Sequence, residues 1–259
     1  MSSPRVAYLA PFLLLACGAP RAVEAIDPPR EPAPPSWSAV GASARGRPIL
    51  ARTRGHGPRR VYVIAGIHGD ERPAVENARR LALLFDSDLP TGVAARLVLD
   101  ANPDGTAART RGNARGVDLN RNWPARNFEP ARRHGPAPLS EPETAAVHAD
   151  LVRFDPGLVI VLHAARRGPF VNFDGPAQAH AQAFAAAAAA LDPRWRVVAD
   201  VGYPTPGSLG SWLGIDAGVP ILTVELPRSE EAEAVWPALR AGVLAALARA
   251  PAAAARPRD

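Results

Sequence analysis

A histidine and a glutamate stand three positions apart in the turn HGDE, directly after the apolar segment VYVIAGI at residues 61–67. Because they share one turn, His68 and Glu71 can reach the same metal ion. His163 ends a second apolar segment, GLVIVLH at residues 157–163, and can supply a third ligand. A hydrolytic zinc site takes three protein ligands and keeps one position open. This pattern favours such a site, although a His-x-x-Glu pair alone is a weak signal.

The elements that must position these residues follow an alternating order. Four aliphatic segments have the composition of strands covered on both faces, at residues 61–67, 95–100, 157–163 and 220–226. A weaker strand is predicted at residues 196–201, and helices are predicted at 73–86, 141–153, 176–191 and 231–249. The order predicts a single α/β domain whose mostly parallel mixed β-sheet is flanked by helices on both faces. Functional sites of such sheets lie beyond the carboxyl ends of the strands, where His68, His163 and Glu225 are placed.

Composition excludes several kinds of chemistry. All thirty basic residues among the 259 are arginines, so no lysine is present for a Schiff base or for a P-loop. The net charge is +5, but the arginines are scattered and few aromatic residues lie among them. We therefore predict no nucleic-acid partner. The single cysteine forms no internal disulfide and no cysteine-rich zinc site.

The N-terminal region predicts export. Residues 1–17 hold an early arginine, a short apolar run and then Cys17 after LLA, which resembles a bacterial lipoprotein signal peptide; an ordinary secretory signal is the alternative. Residues 18–36 contain six prolines and are predicted to be a linker. We expect a catalytic domain at 37–250, a disordered tail at 251–259, and a protein of the periplasm or outer membrane whose only membrane attachment is a lipid on Cys17.

Further motifs follow in a fixed order. They are NPDG at residues 102–105, GVDLNRNWP at 116–124, GYPTPGSLGSW at 202–212 and VELP at 224–227. Together with HGDE, these motifs resemble the zinc carboxypeptidase family, the carboxypeptidase A-like metallopeptidases, over roughly residues 38–235. Within that family the chain most resembles the short bacterial murein-peptide amidases, which cut the γ-D-glutamyl–diaminopimelate bond of cell-wall peptides. The resemblance implies a zinc carboxypeptidase fold and a short peptide substrate derived from the cell wall.

The resemblance also implies roles for the matching residues at the reaction centre. His68, Glu71 and His163 match the ligands of a single zinc ion. Glu225 matches the general base that takes a proton from the attacking water. Arg111 matches the arginine that polarises the scissile carbonyl, with Arg109 and Arg115 close by in the sequence.

Other matching residues are expected to bind substrate or to support the centre. Asn120 and Arg121 match the pair that holds the terminal carboxylate of the substrate. Asp118 matches a carboxylate that orients a zinc-bound imidazole, and Tyr203 matches a mobile tyrosine that closes over the substrate. Gly210 and Ser211 lie where digestive members of the family set their side-chain preference, and they offer neither a large apolar wall nor an acidic charge.

Two arginines after His163 leave an alternative open. Arg166 and Arg167 either favour an acidic substrate, such as one with the free α-carboxylate of a γ-linked D-glutamate, or are solvated loop charges.

Three functions are compatible with these motifs. The first is a zinc-dependent exopeptidase or amidase that acts on short murein peptides in the cell envelope. The second is an N-acyl-amino-acid deacylase of the aspartoacylase and succinylglutamate-desuccinylase type, against which Tyr203 and the complete NPDG and GVDLNRN blocks argue. The third is a catalytically inactive lipoprotein that binds wall peptides. Loss of a ligand or of Glu225 would indicate this third function, and all of these residues are present.

Overall fold

The computed structural model describes residues 37–251. The predicted signal peptide, Cys17, the proline-rich linker and the tail after residue 251 lie outside this range. None of the helices among the described residues is long and apolar enough to span a membrane.

Among residues 37–251, seven strands form one mixed sheet in the order β1-β2-β4-β3-β5-β7-β6. They are β1 (Ser38–Ala42), β2 (Pro48–Arg54), β3 (Arg59–Ala65), β4 (Val93–Val98), β5 (Leu158–Ala165), β6 (Phe170–Asp174) and β7 (Ile221–Pro227). The four central strands β4, β3, β5 and β7 are parallel, and the outer strands pair antiparallel. The predicted mostly parallel mixed sheet is confirmed.

Within the described part of the chain, five α-helices accompany the sheet. They are α1 (Arg72–Ser87), α2 (Pro103–Ala108), α3 (Pro142–Phe154), α4 (Gln178–Ala189) and α5 (Ala232–Arg249). The four helices predicted from the sequence agree with α1, α3, α4 and α5 to within two residues at each end. The short α2, which begins within the NPDG segment, was not predicted.

The two faces of the sheet have separate cores because side chains alternate along each strand. On β3, Val63 faces the core formed with α1, α4 and α5, which contains Leu81, Phe184 and Leu239. Its neighbour Ile64 faces the other core, against α3. The helices therefore lie on both faces, as predicted.

The sequence prediction was wrong at one strand and missed three others. Residues 196–201 form no strand, and Val197 makes only an isolated bridge to Val171. The missed strands β1, β2 and β6 are outer strands. Edge strands such as β1 and β6 bury less of their surface, so they lack the continuous aliphatic run of the central strands.

Candidate active site

Three buried side chains converge at the carboxyl ends of β3 and β5. Nδ1 of His68 lies 2.8 Å from Oε1 of Glu71, and Nδ1 of His163 lies 2.8 Å from Oε2 of the same carboxylate. One ligand atom from each residue can be chosen so that all three lie within 4.8 Å of one another. Two imidazole nitrogens and a carboxylate oxygen are the donor set of a catalytic zinc site, so the sequence-predicted ligands are brought together.

The HGDE turn is positioned by the NPDG segment. A Cβ atom on Gly69 would lie only 1.9 Å from the carbonyl carbon of Gly105, so only glycine permits this approach. Asn102 is fully buried and caps α2, because its Oδ1 accepts a hydrogen bond of 2.9 Å from the Gly105 amide. Its Nδ2 donates to the carbonyl oxygens of Ile67 and Arg111. The NPDG segment therefore connects the metal-binding turn to the segment that carries Arg111 through the hydrogen bonds of Asn102.

Asp118 joins the metal cluster to Arg111. Its Oδ1 lies 3.1 Å from Nε2 of His68, and its Oδ2 accepts a hydrogen bond of 2.9 Å from Nε of Arg111. A carboxylate on the outer nitrogen of a metal-binding imidazole fixes the ring and its tautomer. With Nε2 held in this way, Nδ1 is the nitrogen that faces the cluster.

Contacts within the cluster shift the pKa values of His68 and Glu71. Burial by itself lowers the pKa of His68, but hydrogen bonds to Asp118 and Glu71 raise it to about 9. Burial by itself raises the pKa of Glu71, but the charges and hydrogen bonds of His163 and His68 bring it well below its usual range. Zinc ligation requires neutral imidazoles and an ionised carboxylate, so a bound cation would take the place of the proton on His68. The residues present fit one zinc ion.

Glu225 lies beside this cluster without belonging to it. It pairs in register with His163 across the parallel strands β5 and β7, and it lines the same cavity. Burial, the largest cause, raises the pKa of the Glu225 carboxyl. A carboxylate whose pKa is raised toward neutrality and which does not ligate the metal is suited to accept and return a proton.

The cluster opens into a cavity of about 350 Å³. All four remaining residues predicted to touch substrate line it, namely Arg111, Asn120, Arg121 and Tyr203. Oδ1 of Asn120 accepts a hydrogen bond of 3.0 Å from the Leu209 amide, which leaves Nδ2 as the donor. The Arg121 guanidinium donates to the Asn120 carbonyl. Tyr203 is 60% exposed and lies at the rim.

The arginines named in the sequence analysis differ in whether they line the cavity. Of the three arginines near TRGN, only Arg111 lines the cavity, whereas Arg109 and Arg115 are exposed. Arg166 and Arg167 are also exposed and lie outside the lining, which agrees with solvated loop charges.

The sequence analysis missed several residues that line the cavity. The missed residues that line the cavity include Asn172, Asp174, Ser208, Thr223 and Arg228. Asn172 and Asp174 alternate along β6, and this alternation of polar residues in VNFD is the signal that could have found them. Recognising it required assigning β6 as a strand.

The comparison with known proteins agrees with this geometry. A profile of the zinc carboxypeptidase family matches residues 31–233. The chain belongs to the zinc carboxypeptidase family. Murein peptide amidase A from Escherichia coli (strain K12) is 32% identical over 222 residues, which cover 78% of this chain and 85% of the relative. The corresponding protein from Vibrio campbellii is 29% identical over 209 residues, with 73% and 79% covered.

Solved structures of the family share the fold. The murein-tripeptide amidase from Escherichia coli O157 superposes with a TM-score of 0.67 at 30% identity, covering 84% of this chain and 94% of that one. Carboxypeptidase A from Helicoverpa armigera gives a TM-score of 0.70 at 19% identity, covering 83% and 69%, and supports the fold alone.

Membership in this family identifies the chain as a zinc-dependent metallopeptidase, a hydrolase that uses one zinc ion. The comparisons do not favour the N-acyl-amino-acid deacylase or the inactive binding protein. The roles of the individual residues stay predictions.

Proposed function

We propose that this zinc carboxypeptidase hydrolyses the γ-D-glutamyl–diaminopimelate amide of short murein peptides and releases diaminopimelate. The names of the relatives from Escherichia coli and Vibrio campbellii support this substrate class. The single observation that carries the proposal is that one cavity holds the metal cluster, Glu225 and the Asn120–Arg121 pair together. This arrangement favours hydrolysis of the last amide bond of a peptide over hydrolysis of an internal amide bond.

The Asn120–Arg121 pair binds the terminal carboxylate in this proposal. A guanidinium offers two parallel N–H donors to a carboxylate, and Nδ2 of Asn120 adds a third donor. A substrate held by its terminal carboxylate places the preceding amide bond toward the metal cluster. This end-binding defines the protein as an exopeptidase.

His68, Glu71 and His163 would hold the zinc ion. Catalytic zinc supplies a Lewis acid that polarises a carbonyl and makes water more acidic. Glu225 then accepts the proton of the attacking water and returns it to the leaving amine, because its carboxylate lies beside the cluster and is not needed as a ligand.

Arg111 and Tyr203 complete the reaction centre. The Arg111 guanidinium donates hydrogen bonds to the carbonyl oxygen as negative charge develops there, and its link to Asp118 fixes its position. Tyr203 stands at the exposed rim and closes over the bound peptide, which reduces the access of bulk water.

The cellular place of the reaction is proposed from the sequence alone. The lipoprotein-type signal at residues 1–17 supports export, with a lipid on Cys17 as the anchor in the cell envelope. Fractionation of expressing cells tests this proposal, and recovery of the protein in the soluble cytoplasmic fraction with residues 1–17 intact would contradict it.

The central test is hydrolysis of L-Ala-γ-D-Glu-diaminopimelate by the purified, zinc-loaded protein. We expect release of free diaminopimelate. Glu225→Gln is expected to lower kcat by roughly 10²–10⁴-fold because the amide cannot accept the proton. The zinc content should stay unchanged, because Glu225 is not one of the three ligands.

The test distinguishes an error in the role of Glu225 from an error in the substrate. Equal activity of the wild type and Glu225→Gln would show that Glu225 is not the general base. Cleavage of ordinary C-terminal residues without release of diaminopimelate would refute the murein substrate and leave the zinc centre in place.

A further inference from the structure

Arg228 is a cavity arginine that the mechanism above does not use. It directly follows β7, three residues after Glu225, and lines the same cavity. Its backbone amide donates a hydrogen bond of 3.1 Å to the Ala165 carbonyl, so the pairing of β7 with β5 continues as far as Arg228. Its side chain is 35% exposed, so a ligand in the cavity can reach it.

Asp70 holds the Arg228 guanidinium beside the metal-binding turn. Nη2 of Arg228 donates a hydrogen bond of 3.1 Å to the Asp70 carbonyl oxygen and a second one to Oδ2 of the same residue. That carbonyl belongs to the peptide bond between Asp70 and Glu71, so the guanidinium is held one peptide bond from a metal ligand. Nε and Nη1 of Arg228 form no hydrogen bond with any residue in the part of the chain that the structure describes. Of the five N–H donors of an arginine, three therefore remain for an anion.

The Asn120–Arg121 pair lies on the β6 side of the cavity. A Cβ atom on Gly207 would lie 2.4 Å from the Arg121 carbonyl oxygen, so the two chain segments are in close contact. The chain continues from there to Gly210, where a Cβ atom would lie 2.2 Å from Oδ2 of Asp174 at the end of β6. The terminal carboxylate of the substrate is therefore expected near β6.

The Arg228 guanidinium lies toward the other side of the cavity. Asp70, which holds it, stands between β3 and α1, and the sheet order β3-β5-β7-β6 places two strands between β3 and β6. A peptide held by its terminal carboxylate on the β6 side, with its last amide at the metal cluster, directs its acyl part away from β6. The acyl part of the substrate therefore extends toward Arg228.

We propose that Arg228 binds the free α-carboxylate of the γ-glutamyl residue on the acyl side of the scissile amide. The proposal rests on the exopeptidase function proposed above. In a γ-linked glutamate, the α-carboxylate carbon is four bonds from the scissile carbonyl carbon, a span of roughly 5 Å when extended. An α-linked residue other than glutamate has no carboxylate at this place, so a cation there favours γ-glutamyl peptides over ordinary ones.

The other arginines near the reaction centre have different positions or roles. In the proposed mechanism, Arg111 faces the scissile carbonyl and Arg121 binds the terminal carboxylate. Arg166 and Arg167, which the sequence offered for an acidic substrate, are exposed and lie outside the cavity lining. Arg167→Gln is therefore the matched control for Arg228→Gln, since it removes the same charge near the end of β5 without removing the proposed carboxylate partner.

The experiment compares two peptides that differ in one group. They are L-Ala-γ-D-Glu-diaminopimelate and its isoglutaminyl analogue, in which the α-carboxylate of the D-glutamate is a carboxamide. We expect the wild type to prefer the carboxylate peptide by roughly 10–100-fold in kcat/KM, as for a hydrogen bond to a charged group. Arg228→Gln should bring this ratio near one by slowing the carboxylate peptide alone, and Arg167→Gln should retain the preference. A merely structural role of Arg228 would slow both peptides equally.

Binding of the product dipeptides gives a readout that does not depend on catalysis. Calorimetry should show tighter binding of L-Ala-D-Glu than of L-Ala-D-isoglutamine to the wild type, and equal binding of the two to Arg228→Gln. Thermal melting and zinc content establish that each variant is folded. Arg228→Lys keeps the charge beside Asp70 and should retain part of the preference, so it serves as a second variant should glutamine at this position prevent folding.

The outcomes distinguish this proposal from the one on which it rests. An unchanged preference in Arg228→Gln, an equal loss of activity on both peptides, or a wild type without preference overturns the role of Arg228 even if murein peptides are cleaved. A wild type that cleaves neither peptide refutes the murein substrate. In that case, tighter binding of L-Ala-D-Glu that is lost in Arg228→Gln still supports the carboxylate site, and equal binding of both dipeptides overturns it.

Discussion

Two carboxylates in this site, Glu71 and Asp118, each contact two functional side chains through their two oxygen atoms. Glu71 contacts both imidazoles through different oxygen atoms. Asp118 contacts a zinc ligand through one oxygen and Arg111 through the other. One side chain thus contacts both a metal-binding imidazole and the Arg111 guanidinium, which we propose faces the scissile carbonyl. A change at Asp118 should therefore disturb both zinc affinity and transition-state stabilisation.

Replacement of Asp118 by asparagine tests this link at the residue scale. The amide accepts a weaker hydrogen bond from Nε2 of His68 and no longer pairs with the Arg111 charge. We expect zinc affinity to fall by roughly 10–100-fold, as for other residues that orient metal-binding imidazoles. Competition with a zinc-binding dye measures this affinity directly.

A remote carboxylate provides the control for that variant. Asp86 lies in the last turn of α1, the helix that begins directly after Glu71, and forms ion pairs with Arg52 and Arg54. Asp86→Asn removes the same charge and should leave zinc affinity unchanged. Equal zinc affinity in Asp118→Asn and the wild type would show that Asp118 does not support the metal site.

The junction between β4 and α2 is the element on which the NPDG segment depends. Asp100 follows β4, and its Oδ1 accepts hydrogen bonds from the Asn102 amide and from Oγ1 of Thr106. Gly66 lies against this carboxylate, where a Cβ atom would be 2.4 Å from Oδ1. Burial, the largest cause, raises the pKa of Asp100 to about 6.

This raised pKa predicts how the stability of the junction changes with pH. The folded state binds the Asp100 proton more tightly than the unfolded state, in which the pKa is about 3.9. The resulting stabilisation is complete below about pH 4 and is lost as the pH rises through about 6. Asp100→Asn stays neutral and keeps the acceptor oxygen. The free energy of unfolding of the variant minus that of the wild type should therefore rise from roughly 0.5 kcal/mol at pH 4 to roughly 3 kcal/mol at pH 8.

Denaturant unfolding of both proteins at pH 4, 6 and 8 measures this difference. Taking the variant minus the wild type removes the contributions of all other titrating groups. A difference that is constant across the three pH values would mean that Asp100 titrates normally in the folded protein.

Sequence reasoning located the central elements because their signals are local. The segments around Val63, Ile160 and Val224 are continuously aliphatic, since each is buried on both faces, and the metal ligands follow them directly. The segment VNFD had no such signal, because β6 is an edge strand with polar residues on its cavity face. Asp174 was missed for that reason. Its position beside Gly210 depends on residues 36 positions apart in the chain, a contact that no local pattern indicates.

At the scale of the whole molecule, the metal site lies outside both hydrophobic cores. Neither core cluster contains His68, Glu71 or His163. The three ligands are hydrogen-bonded to one another, so they have partners in the absence of a cation. We therefore expect the domain to fold without zinc, in contrast to small domains that fold only with their metal.

Removal of zinc tests this independence. Chelation should abolish hydrolysis and leave the circular dichroism spectrum unchanged, and added zinc should restore activity. Because zinc binds the folded state, at a free concentration of 100 times its Kd it should add about 2.7 kcal/mol of stability. This corresponds to a rise in Tm of roughly 5–10 °C for a domain of this size. His163→Ala, which removes one ligand, should show no such rise.

Unfolding upon chelation would instead mean that the cation holds the ends of β3 and β5 together. An equal rise in Tm with magnesium would argue against a site selective for zinc.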